Sequence, residues 1–295
     1  MLTHESRCQA RNEPIVNDLQ TTHPIVPTNC FPTVEAYVLY LLHKKAYEQA
    51  AEIAQNKSLL DWGCNDGYGI ELLRPFVSEI AGLDSAEVSV KAAHRRLPDM
   101  VSMIRLYDGT RLPFPAGSFD VVTSFQVIEH VSDLDTYLAH IVEALKTDGV
   151  AIFTTPNKRL RLFPGDRPWN PYHVREFLPS ELRQLISQYF SSVELLGLRA
   201  TPEIESIERK RCEAAKAANH ISTPPSKFRS TIVAGLKKFL PGLTSAKLRR
   251  LLDWNETRSG RNKVDLLTTN FSTKDMFYSD KDVDNALDLM AVCAK

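Results

Sequence analysis

Three aspartates, each placed at the end of a short apolar segment, are the residues whose spacing most clearly indicates binding chemistry. They are Asp61, Asp84 and Asp108. A glycine-rich stretch, residues 63–69, follows the first of them, and an amphipathic segment begins after it. This order is typical of a strand, a tight turn and a helix, and in α/β proteins ligands bind where neighbouring strands end. The three carboxylates are therefore expected to converge on one ligand that carries hydrogen-bond donors.

The glycine-rich stretch excludes two common nucleotide-binding motifs. A dinucleotide fingerprint, counted from Gly63, requires glycine where the chain has Asn65 and Tyr68. A P-loop requires Lys-Ser or Lys-Thr after its last glycine, and neither follows Gly69. What remains is an Asp-x-Gly-x-Asn-x-Gly-x-Gly loop at the start of a helix. Its backbone can approach a ligand closely, and its N–H groups favour an anion.

This loop resembles motif I of the class I S-adenosylmethionine-dependent methyltransferases, and the resemblance extends over residues 35–198. The later matching elements include a helix over residues 134–145 and a fifth strand over residues 150–157. The resemblance implies an α/β, Rossmann-like fold with seven mostly parallel strands in the order 3-2-1-4-5-7-6 and helices on both faces. The alternation of strands and helices also favours a parallel sheet.

The chain divides into three predicted parts. Residues 1–32 are polar and contain several prolines, which predicts an irregular arm. Residues 33–198 together with 285–295 form the predicted cofactor-binding methyltransferase domain, with a helix over residues 33–56 before its first strand. Residues 199–284 form a basic insertion, predicted to be helical, between the sixth and seventh strands. In the family a short hairpin often joins these strands, so the insertion is the main departure.

Carried onto this chain, the resemblance assigns a partner to each part of S-adenosylmethionine. Asp61 attracts the ammonium, directly or through water, while the loop amides hold the carboxylate. Asp84 suits the ribose diol, because a carboxylate accepts from two donors at once. Asp108 accepts from the adenine amine beside the N–H of Gly109, and Gln126 faces the methionine moiety. The full predicted set is Asp61, Gly63, Asn65, Gly67, Asp84, Ser85, Asp108, Gly109 and Gln126. The alternative is that the acids only cap helices or turns.

Glu129, His130 and His173 are the candidates for catalysis. The first two follow the fourth strand and the third follows the fifth, so all are expected at the same rim. A hydroxyl acceptor benefits from a base that titrates near neutral pH, which points to histidine. A Val-Ile-Glu-His segment with a later histidine resembles bacterial O-methyltransferases of ubiquinone and glycan pathways.

The same residues also resemble, in part, a metal-binding motif of small-RNA 2′-O-methyltransferases, Glu-x-x-Glu-His with a distant histidine. Gln126 stands at the first glutamate of that motif, so one anionic ligand is missing and no metal is predicted. Glu129, His130 and His173 could still hold a divalent ion. Structural roles are the alternative: His130 could cap a helix, and His173 could pack its loop against Glu176.

The composition of the chain says more about its cellular compartment than about its reaction. Lys plus Arg and Asp plus Glu both number 36, so the net charge says nothing about partners. The five cysteines are widely spaced and contain no CxxC pair, which favours a reducing compartment over a disulfide framework or zinc knuckle. No apolar run approaches the roughly 18 residues of a membrane span. A cytoplasmic location is expected, with the first residues lacking the apolar core of a signal peptide.

One segment departs from the neutral balance of the chain. Residues 209–263 contain fourteen basic and three acidic residues, a net charge of +11. Such a segment could lie peripherally on an anionic membrane or hold an anionic substrate, or it could form a helical lid with solvated lysines. The favoured acceptor is a hydroxyl of a small molecule or glycan, and the basic segment leaves open an anionic or lipid-linked one.

Three other functions remain to be weighed. An RNA 2′-O-methyltransferase would use the basic segment against phosphates, but the chain shows no appended RNA module or aromatic-rich basic strand, which disfavours nucleic acid as a partner. N-methylation of a small molecule stays open. A catalytically silent protein on the same fold is disfavoured because the cofactor motifs are intact. The sequence indicates no oligomeric state.

Overall fold

The computed structural model describes residue 31, residues 33–222 and residues 270–295. In these ranges the helices are α1 (Val34–Ile53), α2 (Tyr68–Leu73), α3 (Glu87–Arg96), α4 (Leu134–Ala144), α5 (Lys158–Arg161), α6 (Pro179–Ile186) and α7 (Pro202–Ser222). The strands are β1 (Ser58–Trp62), β2 (Glu79–Asp84), β3 (Ile104–Leu106), β4 (Phe119–Phe125), β5 (Leu145–Pro156), β6 (Ser192–Ala200), β7 (Met276–Ser279) and β8 (Asp288–Ala294). Apart from residue 31, the predicted arm lies outside the described residues, as do residues 223–269 of the predicted insertion.

The strands form one mixed sheet in the order β3-β2-β1-β4-β5-β8-β6-β7. Strands β1 to β5 pair in parallel, whereas β8 is antiparallel to both β5 and β6. The predicted Rossmann-like α/β fold is confirmed, with β8 in the place of the predicted seventh strand. The sheet has eight strands and not seven, because Met276–Ser279 pairs with the end of β6 at the sheet edge. This strand lies inside residues 199–284, so that segment is not purely helical.

Alternate strand residues face opposite sides of the sheet and create two cores. Leu60 and Val122 pack in the core that contains residues of α4 and α6. Leu59 and Val121 pack in the core that contains residues of α1, α2 and α3. Each such fully buried side chain stabilises the fold by about 1.5–3 kcal/mol. A third cluster joins the first half of α1 to α7 and to the β6–β7 edge.

Local signals explain where several elements begin. Thr33 caps α1 by accepting the Ala36 amide at 3.2 Å, and Asp133 caps α4 by accepting the Thr136 amide at 3.1 Å. Residues 146–149, between the predicted helix and the predicted fifth strand, lie within β5, whose pairing with β4 is irregular there. Within the described ranges, every helix is too short or too polar to cross a lipid bilayer.

The parallel order brings the carboxyl ends of β1 to β5 to one edge of the sheet. Because β8 runs the other way, its first residue lies at that same edge, where Asp288 pairs with Pro156 at the end of β5. The loop after β1, the end of β2 and the turn after β4 therefore meet the start of β8. This edge is where the candidate site lies.

Candidate functional site

A cavity of about 760 Å³ opens at this edge of the sheet. Seven of the predicted cofactor-binding residues line it: Gly63, Asn65, Asp84, Ser85, Asp108, Gly109 and Gln126. Two others, Asp61 and Gly67, are not part of its lining. Most of the predicted residues therefore line one cavity, and the structure shows which of them can contact a ligand in it.

The loop after β1 is shaped by backbone positions that few side chains tolerate. Gly63 has a φ of +84°, and a Cβ there would overlap Cγ2 of Val127. Gly67, with a φ of +81°, is the residue from which α2 starts. Asn65 has a φ of +47°, a region that asparagine tolerates better than most residues. Gly67 thus acts through backbone conformation and not through contact with the cavity.

Most amides of this loop already donate within the protein. Between residues 63 and 69, five amides have an internal acceptor: those of Gly63, Cys64, Asn65, Gly67 and Tyr68. The loop's other two amides are those of Asp66 and Gly69. The predicted binding of the cofactor carboxylate by this loop is therefore confined to these two N–H groups.

Asp84, the last residue of β2, places its carboxylate on the cavity wall. Its Oδ2 accepts the amide of Asn65 at 2.9 Å, and its Oδ1 accepts the amide of Ala86 at 2.8 Å. Burial raises the pKa of Asp84, while the bonds from these amides act in the opposite direction. Each oxygen keeps a second lone pair, so the carboxylate can still accept from the two hydroxyls of a ribose.

Asp108 and Gly109 line the cavity beyond the end of β3. Oδ1 of Asp108 accepts the amide of Thr110 at 2.9 Å and its hydroxyl at 2.7 Å, and these bonds lower the pKa of Asp108. The carboxylate therefore caps its own turn, as the structural alternative predicts, and also borders the cavity. An ionised acceptor at this place is compatible with the predicted contact to an adenine amine.

Asp61 lies behind the cavity wall, with 1% of its surface exposed. Its Oδ1 accepts the hydroxyl of Thr123 at 2.9 Å, and its Oδ2 has no hydrogen-bond partner among the described residues. Burial raises the pKa of Asp61 to about 7. Direct contact with a ligand ammonium, one of the two predicted options, is not available in this arrangement.

Gln126 and Asp288 form a buried pair on the cavity wall. The side-chain amide of Gln126 donates to Oδ2 of Asp288 at 2.9 Å and to the hydroxyl of Thr154 at 3.3 Å. Burial raises the pKa of Asp288 well above its usual range. Sequence reasoning found Gln126 and missed its two partners. The available signal was an acid at the start of the last strand, which only the strand register places beside Gln126.

One face of α1 also lines the cavity. The lining residues recur every three or four positions: Ala36, Leu39, Tyr40, His43, Ala46 and Tyr47. Ala46 also packs with Ala50 in the core against the sheet, so this helix both lines the cavity and packs on the sheet. The aromatic residues at this spacing were the signal that sequence reasoning did not use.

The ionisable residues of the cavity wall are mainly acidic. Five aspartates line it: Asp66, Asp84, Asp108, Asp133 and Asp288. Among the described residues, Arg96 is the single lysine or arginine of the lining, and its guanidinium lies 2.6 Å from the carboxylate of Asp66. A wall of this character favours a ligand that carries positive charge.

The three catalytic candidates converge in one cluster, as the sequence predicts. One nitrogen or oxygen atom of Glu129, His130 and His173 lies within 4.8 Å of the corresponding atoms of the other two. Only His130 lines the cavity, however, and Glu129 and His173 are 0% and 8% exposed behind it. His130 is therefore placed to meet an acceptor directly, and the other two would act through it.

Hydrogen bonds orient the two histidine rings, and burial shifts the pKa values of His130 and Glu129. Nδ1 of His130 lies 2.9 Å from the carbonyl of Tyr172, and Nδ1 of His173 lies 2.9 Å from the carboxylate of Glu176. The packing of His173 against Glu176, the structural alternative, is thus present. Burial lowers the pKa of His130 to about 4 and raises the pKa of Glu129 to about 8. The His130 ring is uncharged at neutral pH and can accept a proton, but this lowered pKa makes it a weaker base than the histidine titrating near neutrality that the sequence predicts.

Comparison with known proteins identifies the cofactor of this cavity. Residues 35–198, more than half of the chain, match the family described as "Methyltransferase domain". A protein of Mycolicibacterium smegmatis named "Probable S-adenosylmethionine-dependent methyltransferase" is 33% identical over 180 residues, which cover 60% of this chain and 69% of that protein. The chain belongs to the S-adenosylmethionine-dependent methyltransferase family. Its cofactor is S-adenosylmethionine, and its reaction is methyl transfer.

Two further relatives carry related names. A Mycobacterium tuberculosis protein, also named as a probable S-adenosylmethionine-dependent methyltransferase, is 32% identical over 170 residues, or 57% of this chain and 61% of that protein. A "Ubiquinone biosynthesis O-methyltransferase" of Bartonella quintana is 25% identical over 171 residues, or 53% of this chain and 69% of that protein. The chain therefore spans less than two thirds of the length of the Mycobacterium tuberculosis relative. The names of these relatives do not establish which molecule this chain methylates.

The residues of the cavity fit S-adenosylmethionine. Asp84 presents carboxylate lone pairs to a diol, and the acidic wall suits the sulfonium and ammonium groups of the cofactor. When bound, the cofactor supplies a methyl group on a positively charged sulfur. The residues of the cavity, including one face of α1, would hold the cofactor and so position its methyl group.

Proposed function

We propose that this methyltransferase transfers the methyl group to a hydroxyl of a small molecule or glycan. The observation that carries the proposal is the position of His130 on the cavity wall, next to Val127 and Gln126 of the turn after β4. A carbonyl can only accept, so Nδ1 of His130 donates to Tyr172 and Nε2 carries the lone pair. A hydroxyl must lose its proton as it is methylated, and a proton acceptor beside it speeds that step.

The reaction is a single in-line displacement. The acceptor oxygen attacks the methyl carbon, the O–CH₃ bond forms as the S–CH₃ bond breaks, and the sulfonium becomes a neutral thioether. The hydroxyl proton passes to Nε2 of His130. Asp84 and Gln126 hold the cofactor, and the cavity face of α1 covers both reactants. Positioning of this kind can lower the barrier by about 7–11 kcal/mol.

The size and lining of the cavity support a small acceptor. A volume of about 760 Å³, part of which the cofactor would fill, leaves room for a compact group or the end of a longer molecule. Its apolar and aromatic lining, which includes Leu39, Tyr40 and Tyr137, suits a ring or an alkyl segment. The similarity to a ubiquinone biosynthesis O-methyltransferase points the same way.

An anionic or lipid-linked acceptor, and peripheral contact with a membrane, remain proposals that rest on the basic segment. Of residues 209–263, the structure describes 209–222, at the end of α7. Arg209 and Arg211 pair there with Glu205 and Glu208 on the same helix, which reduces the charge that this part offers to a partner. The rest of that segment lies outside the described residues.

Two measurements test the proposal in sequence. Calorimetry with S-adenosylhomocysteine establishes cofactor binding, and formation of that product is then measured with phenols, sugars, amines and RNA oligonucleotides as acceptors. We expect turnover with hydroxyl compounds, and loss of it in His130→Ala. His94→Ala is the matched control, because that ring is also held by a backbone carbonyl, at 2.9 Å from Ile104, but does not line the cavity. Turnover with amines alone, or RNA-dependent turnover abolished by moderate salt, would overturn the proposal.

A further inference from the structure

We propose that Glu129, His130 and His173 bind one divalent transition-metal ion at the wall of the cavity. One ligand atom from each residue lies within 4.8 Å of the other two. The ligand atoms of a tetrahedral zinc site lie about 3–3.5 Å apart, so small rotations of these side chains suffice to close the site. The three residues come from the turn after β4 and from the segment between α5 and α6, so two separate parts of the chain supply the ligands.

Each of the two imidazole rings has an unprotonated nitrogen, whose lone pair can bind a metal ion. Nδ1 of His130 donates to a carbonyl, that of Tyr172. Nδ1 of His173 donates to Glu176, whose carboxylate accepts two bonds from the guanidinium of Arg161, at 3.0 and 3.1 Å, and is therefore an acceptor. In both rings the lone pair is consequently on Nε2. A histidine whose other nitrogen donates to a carboxylate or carbonyl is the arrangement found around metal-ligating histidines.

Two polar atoms of the cluster are buried without a hydrogen-bond partner among the described residues. They are Oε1 of Glu129 and Nε2 of His173. Oε2 of Glu129 accepts the hydroxyl of Thr155 at 3.0 Å, which fixes the carboxylate and leaves Oε1 as the oxygen without a partner. Each buried polar atom without a partner costs about 1–3 kcal/mol, and native proteins keep few of them. A cation bound between these atoms would satisfy both.

The charges of the surrounding residues leave room for a cation. Arg161 already pairs with Glu176, so Glu176 orients His173 and its charge is balanced. Glu129 forms no such ion pair among the described residues, and its Oε1 has no hydrogen-bond partner there. Two imidazoles and one carboxylate suit Zn²⁺ and similar first-row ions, whereas Mg²⁺ and Ca²⁺ prefer oxygen ligands. Since His130 lines the cavity, an ion at this place borders the cavity that holds the acceptor.

The chemical use of such an ion rests on the proposed hydroxyl methylation, whereas its binding does not. An ion held here lowers the pKa of a coordinated hydroxyl. In that case Nε2 of His130 is a ligand, and the proton leaves to solvent as the O–CH₃ bond forms and the S–CH₃ bond breaks. The ion then replaces the ring as the group that activates the acceptor.

The test measures metal binding directly and without an acceptor, so that it is independent of the proposed reaction. The full-length protein is dialysed against a chelator and titrated with Zn²⁺ by calorimetry and with Co²⁺ by visible absorption, with Mg²⁺ as the comparison ion. We expect one Zn²⁺ per chain, ligand-field bands from bound Co²⁺, and no binding of Mg²⁺. His173→Ala and Glu129→Gln should each weaken Zn²⁺ binding at least about 100-fold, because a lost ligand costs more than a lost outer partner.

Controls separate loss of the site from loss of the fold. His220→Ala removes a histidine that pairs with Asp166 at 3.1 Å on the surface, and it should leave Zn²⁺ binding unchanged. Binding of S-adenosylhomocysteine should persist in every variant. If a variant fails to fold, X-ray absorption of the Zn²⁺-loaded wild type decides, since the proposal requires two imidazole ligands. Absence of Zn²⁺ binding by the wild type, or binding that both variants retain, would overturn the proposal.

Discussion

The carboxylate of Asp84 accepts the amide of Asn65 at 2.9 Å, so the residue that ends β2 also holds the loop that follows β1. The same carboxylate accepts the amide of Ala86, just before α3. Three segments of the cofactor site thus depend on one side chain. Its loss should disturb both the contact with the ribose and the shape of the loop.

We therefore expect Asp84→Ala to lower the affinity for S-adenosylhomocysteine at least about 100-fold, since hydrogen bonds to a charged group contribute about 1.5–3 kcal/mol each. Isothermal calorimetry measures this directly. Asp99→Ala is the control, because Asp99 is an exposed carboxylate that pairs with Arg74 at 2.6 Å, and it should change nothing. Unchanged affinity in Asp84→Ala would refute the ribose role.

Asp288 should tolerate an amide but not an apolar side chain. Burial raises the pKa of Asp288 well above its usual range, which favours the neutral form of its side chain. Asp288→Asn keeps an oxygen for the amide of Gln126 and should retain cofactor binding and melting temperature. Asp288→Ala leaves that buried amide without its acceptor at 2.9 Å, which costs about 1–3 kcal/mol. Equal melting temperatures for both variants would remove Asp288 from the support of Gln126.

Asp61 should make the protein less stable as the pH rises toward neutrality. Burial raises its pKa from 3.8 to about 7, the bond from Thr123 lowers it, and the nearby charge of Asp84 raises it further. Between these two values the native state keeps a proton that the unfolded chain has lost, so the free energy of unfolding falls with rising pH. Above the folded pKa the decline ends. At about 1.4 kcal/mol per pKa unit, the full effect is roughly 4 kcal/mol.

Asp61→Asn isolates this effect, because its side-chain oxygen can still accept the hydroxyl of Thr123. Urea unfolding of both proteins is compared below, within and above the pH window from 3.8 to about 7. The stability of the wild type relative to the variant should decrease across the window and then stay level. A constant difference at every pH would show that the pKa of Asp61 is the same in the native and unfolded states.

Elements with local signals could be predicted from the sequence. The strand, loop and helix around Gly63 and Gly67 follow from an apolar run, an acid and glycines, and the structure places both glycines at positive φ. Strand β7 could not be predicted in the same way. Met276–Ser279 is short, and it becomes a strand only by pairing with β6, which is remote in sequence. Such an edge strand is decided by tertiary contacts and not by local propensity.

The sequence also could not show which of the acids near strand ends face the cavity. Asp84 is the last residue of β2, whereas β1 continues to Trp62, so Asp61 lies inside the sheet opposite Gly82 and Thr123. A shift of one residue along a strand reverses the side to which a side chain points. The partnership of Gln126 with Asp288 depends in turn on the antiparallel register of β8. Motif spacing carries no information about that register.

His173 should affect turnover without affecting the cofactor. It is 8% exposed and does not line the cavity, but its ring centroid lies 4.6 Å from that of His130, which does. His173→Ala should therefore lower kcat at least about 100-fold, the scale of lost acid–base or acceptor activation, with affinity for S-adenosylhomocysteine unchanged. Product formation with a hydroxyl acceptor and calorimetry measure the two quantities separately. His140→Ala serves as the comparison, because its ring is held by Tyr107 at 2.7 Å, away from this cluster. If His173→Ala keeps the wild-type kcat, the cluster works through His130 alone and His173 only packs its loop.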